Sequence, residues 1–108
     1  RTFIHINDAV KAYIFALDNF DIMKNEIYNV GDESMNLSKI DICNKLAKLI
    51  DFEIINSSLS DLDNRNFEIS FQKIKKVGYN LSYSIDYGIE ELIKLYSFYV
   101  QYLPYNII

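Results

Sequence analysis

Six side chains in this sequence are of a type and setting that could do chemistry: Arg1, His5, Asp8, Cys43, Asp63 and Arg65. His5 is the lone histidine and invites a catalytic reading, but we weigh packing above catalysis. Asp8 stands where a helix should begin. Its carboxylate can accept the free N–H groups of a first turn, so a cap is expected there in preference to an acid or base. Cys43 is the only cysteine, which excludes an intrachain disulfide and any Cys-x-x-Cys metal site and fits a reducing cytoplasm. It falls on the apolar face of an expected helix and reads as inert packing. Arg1 and Arg65 are the only arginines, set against nine lysines. The plain reading of Arg65 is a surface ion pair with Asp61 or Asp63, worth under about 1 kcal/mol. Lysines 73, 75 and 76 form the densest basic cluster and read as a solvated helix face.

The elements that must position these residues alternate in type. Thr2 to Ile6 reads as a short strand, followed by a helix to about Asn19 with Ala9, Val10, Tyr13, Ile14 and Leu17 at helical spacing. Ile27, Tyr28 and Val30 read as a second strand ended by Gly31. Ser38 with Asp41 resembles a capping box, opening a helix with Ile40, Cys43, Leu46, Ala47 and Ile50 on one face. Phe52 to Ile55 suggests a third strand, and SSLSDLDNRN a loop. Ser70 can cap a short helix carrying Phe71, Ile74 and Val77, with Gly78 as its stop. The last helix starts near Ser84 or Asp86. Ile85, Ile89, Leu92, Ile93, Tyr96 and Val100 form its buried stripe, and Gly88 within it costs roughly 1 kcal/mol unless close packing offsets it. Pro104 ends the regular structure. The order predicts an α/β fold, with strands too short and elements too few to close a sheet alone.

Length and composition narrow the classes. At 108 residues the chain is one domain's worth, or one piece of a larger domain. Its formal charge is −4 with no basic stripe, which argues against nucleic acid. No apolar run is long enough to span a membrane, and no signal peptide shows. The aromatic end, LYSFYVQYLPYNII, reads as packing on a parent domain in preference to a subunit surface.

Four stretches in order carry a family resemblance: R-x-F-I-H-x-x-D-x-x-x-A-Y from Arg1, IYNVGDES, DNRNFEISFQKIKKVGY and YSIDYGIEELI. Over roughly residues 1 to 96 they resemble the C-terminal third of the extended short-chain dehydrogenase/reductases, the NAD(P)-dependent nucleotide-sugar epimerases and dehydratases. The resemblance implies a Rossmann-type segment spanning 1–108. That segment would give strands to a sheet and a small helical substrate-binding lobe. It also implies an upstream cofactor-binding part of the same enzyme, a cytoplasmic location, and a homodimer as one possible assembly of the full enzyme.

The family's cofactor turn and catalytic pair are not in this sequence. With glycines only at 31, 78 and 88 there is no Gly-rich phosphate turn, and no tyrosine has a lysine four residues on. NAD or NADP is thus expected in the full-length enzyme and not on this chain alone. What the resemblance leaves here is nucleotide-sugar binding. It implies that Arg1 and Arg65 meet the substrate diphosphate, since a planar guanidinium donates two parallel hydrogen bonds to phosphate oxygens. It implies that Asp63 accepts from a ribose hydroxyl. One departure bears on Arg65: many relatives carry the diphosphate arginine a few residues earlier, in an R-P-G-like stretch that here reads SLSD. The alternative function is a non-enzymatic interaction module that kept the lobe and lost the catalysis.

Overall fold

A computed structural model describes residues 1–56 and 67–98. Asp63, Arg65 and the aromatic tail beyond Phe98 lie outside the described residues, so nothing is placed there for them. The order is α1 (Ile6–Asp18), α2 (Phe20–Met23), a 3₁₀ turn (Glu33–Met35), α3 (Lys39–Leu46), α4 (Gln72–Val77) and α5 (Ile85–Phe98).

The expected α/β architecture is not observed: the described residues form helices and no sheet. Their one β feature is an isolated antiparallel bridge between Thr2 and Asn36. It is framed by Leu37 N donating to the Arg1 carbonyl at 2.9 Å and Phe3 N to the Met35 carbonyl at 3.1 Å. The reason is local. His5 is extended (φ −70°, ψ 140°), and its side chain accepts from Asn7 N, so it caps a helix that starts at Ile6 and takes the end of the expected strand. Asn29, in the second expected strand, sends its side-chain amide to the Ser70 carbonyl at 3.3 Å. A strand without neighbours cannot satisfy its backbone, and short apolar runs are ambiguous by period alone. The expected α/β segment giving strands to a sheet is therefore corrected to a helical one.

The helices follow their local signals more closely. At α3, Asp41 N donates to Ser38 Oγ at 3.1 Å and Ser38 N to Asp41 Oδ2 at 2.8 Å, a reciprocal capping box. That helix ends at Leu46, a turn short of the expected Ile50. Gly78 ends α4 with φ 107°, a left-handed value that glycine adopts without a Cβ penalty. The N-cap of α4 is Phe71, one residue beyond the expected Ser70. Ser84 opens α5, its Oγ accepting Tyr87 N at 3.1 Å.

The core lies where α1 and α2 meet α4 and the chain after it. Ala12, Met23, Phe71, Ile74 and Tyr79 are buried together, with Phe15, Tyr28, Val30 and Leu81 packed around them. Only one side of α1 is used. Ile6, Val10, Tyr13, Ile14 and Leu17 share its opposite side and remain 51–77 % exposed. A helix apolar around most of its circumference is normally internal. Because nothing described covers this side, Tyr13→Lys and Leu17→Lys should change the unfolding free energy of this chain, measured by urea titration, by no more than about 0.5 kcal/mol. They should also lower its light scattering. A cooperative loss of helix in either variant would contradict the exposed placement.

Candidate functional site

The polar residues of the first and last motifs converge at the start of α1. Asp8 is fully buried. It sits inside the first turn of α1, not at the cap, which His5 occupies. Its carboxylate accepts Ser82 N on Oδ1 at 2.8 Å and Tyr83 N on Oδ2 at 3.0 Å, and its backbone carbonyl accepts the Tyr79 hydroxyl at 2.6 Å. Burial pushes the Tyr79 hydroxyl up to about 12, with the Asp8 charge adding to it. Tyr79 therefore stays a donor across the working pH range. Lys11 closes the rim, donating to the Asn80 carbonyl at 2.8 Å and to Ser82 Oγ at 2.6 Å.

His5 stands beside this latch. Its ring stacks on Tyr83 with centroids 4.3 Å apart and meets Tyr87 edge-on at 5.8 Å. Gly88 faces the ring, but a Cβ there would come only to 3.5 Å from His5 Cδ2, ordinary contact, so the ring does not require a glycine. Nδ1 accepts Asn7 N at 3.2 Å, so in the neutral ring the proton is on Nε2, which is 2.8 Å from Glu91 Oε2. Both nitrogens are engaged. The adjoining groove, about 390 Å³, is lined by Phe3, Ile4, Met35, Ile42, Ile85 and Leu92, with His5 and Glu91 also on its wall. Such a lining suits apolar contact, not a phosphate.

A second polar centre ties the turn at 32–35 to α4. Lys75 Nζ is 2.7 Å from Asp32 Oδ2 and also bonds Glu33. Glu33 Oε1 accepts Phe71 N at 2.9 Å and Gln72 Nε2 at 3.1 Å, while Asp32 Oδ1 accepts Ser34 N at 2.9 Å. The Lys75 ammonium holds both carboxyls down to about 2. Asp32, foremost, raises Lys75 in turn. Lys73 bonds Glu26 and the Ile27 carbonyl, both at 2.8 Å. Of the cluster 73, 75 and 76, expected to be a solvated face, Lys73 and Lys76 are exposed, while Lys75 is half-buried in its clamp.

This clamp fixes a pH dependence. Both carboxyls are depressed from ordinary values of 3.8 and 4.5, so their contribution is complete above those values and is lost as pH falls toward about 2. Lys75→Met should be less stable than the unchanged chain at pH 7. The two urea midpoints should converge near pH 2 in a series followed by circular dichroism. A gap that persists at pH 2 would assign the lysine a packing role alone.

Arg1 is exposed, and its backbone nitrogen donates to the Leu37 carbonyl at 2.9 Å. This places it next to Ser38, the cap of α3. Whether Arg65 and Asp63 approach it falls outside the described residues. The fit to a dinucleotide is testable at the glycines. The open side of Gly31 is filled by the Phe71 ring. Gly78 faces open space but sits at the C-terminal end of α4, where carbonyls and not N–H groups are exposed, and Gly88 is inside α5. None of the three glycines sits at a helix N-terminus with open space beside it, the setting a pyrophosphate cradle needs.

The Asp8 latch and the Lys75 clamp were not legible beforehand. Their partners lie 74 and 75 residues apart in one case and 42 in the other, and no local spacing links them. No helix among the described residues is long and apolar enough to cross a membrane, and they include no group of three or more His, Cys, Asp or Glu able to hold a metal ion. No protein-family model matches the chain, and no solved structure matches it.

Proposed function

We propose that this chain is the helical, substrate-side segment of an NAD(P)-dependent nucleotide-sugar epimerase or dehydratase, acting in the cytoplasm. The observation that supports the reading is that the resembling stretches meet as one unit. Asp8 of the first accepts from Ser82, just before the last, and from Tyr83 within it. Gly31 of the second lies under Phe71 of the third. Residues that share a family signature and also hold one another in place form a coherent scaffold. On this reading Arg1 and Arg65 bind the substrate diphosphate and Asp63 a ribose hydroxyl. The cofactor, NAD or NADP, belongs to another part of the enzyme, and the outer side of α1 is where that part would pack. The same apolar side would equally serve a non-enzymatic interaction module. A Gly-rich βα turn and a Tyr-x-x-x-Lys pair elsewhere in the complete coding sequence distinguish the enzyme.

The test is nucleotide-sugar affinity in the complete enzyme. Each charge-assisted phosphate contact contributes about 1.5–3 kcal/mol, so Arg1→Ala and Arg65→Ala should each weaken binding by about ten- to a hundredfold. NAD(P) affinity should be unchanged. Arg→Lys should recover part of the loss, because an ammonium cannot make the bidentate contact. If nucleotide-sugar affinity is untouched in both alanine variants while the fold persists by circular dichroism, the substrate assignment fails. An effect from Arg1 alone would make Arg65 a loop brace, in line with the SLSD departure.

A further inference from the structure

We draw no further inference here: the strongest candidate, the apolar trough between α3 and α5 lined by Ile42, Leu46, Ile50, Ile89, Leu92 and Ile93, carries nothing because nothing in the structure shows what covers it.

Discussion

Asp8→Ala is expected to destabilise the protein by about 2–6 kcal/mol, because it strips the acceptor from two backbone N–H groups at once and each orphaned donor costs about 1–3 kcal/mol. Ser82 N and Tyr83 N, at 2.8 and 3.0 Å from separate oxygens of the same carboxylate, would lose it together. A small domain has little stability in reserve, so the loss is a large fraction of the total. Asp8→Asn should recover only part of it: the amide keeps one carbonyl acceptor but turns an N–H toward the second donor. The measurement is urea unfolding followed by far-ultraviolet circular dichroism. If the alanine variant unfolds at the same urea concentration as the unchanged chain, the carboxylate is not holding the 82–83 backbone.

Gly31→Ala should be the second severe change, at about 1–3 kcal/mol from overpacking. A Cβ at residue 31 would sit 2.7 Å from Phe71 Cε1 and 2.8 Å from Cζ, nearer than carbon atoms tolerate. The ring cannot retreat, since Phe71 is only 1 % exposed and is part of the central cluster. The backbone adds to the penalty, because φ at this position is +156°. Phe71→Leu makes room while leaving a cavity and is itself destabilising. The double variant Gly31→Ala/Phe71→Leu should therefore be more stable than the sum of the single changes implies, a coupling that a double-mutant cycle measures directly. Strict additivity would mean that residue 31 and the ring do not meet.

What could be read from the sequence was what is encoded within a few residues. Ser38 and Asp41 are three apart, and their capping box forms as spaced. Gly78 follows the helically spaced Phe71, Ile74 and Val77 and stops α4 in the left-handed conformation. The strands failed for the complementary reason. A run such as Phe3–Ile4–Ile6 becomes a strand only if another segment satisfies its backbone, and that information is not local. Here the N-terminal run meets 35–37 for a single bridge, and His5 then turns the chain into α1. The site divides along the same line. Asp8 was legible as an acid near a helix start, but its burial and its partners were not. Arg1 is placed beside the cap of α3, while Arg65 and Asp63 lie outside the described residues. Where strands were expected at 27–30 and 52–55 the chain is irregular, and only the end of the first expected strand, at Ile6, is taken into a helix.

The Asp8 latch also sets an order of events during synthesis. Its two donors are 74 and 75 residues downstream, and the histidine beside it finds Glu91 86 residues on. At translation rates of about 5–20 residues per second, roughly 4–15 s pass between the making of α1 and the arrival of the backbone that fastens it. During that interval the carboxylate lacks both of its backbone donors, although Met23, Phe71 and Ile74, which pack on the inner side of α1, are already made. Neither α1 nor the groove beside it can be assembled piecemeal as the chain emerges. A ribosome stalled before Ser82 would hold out α1 without the two backbone donors that fasten Asp8.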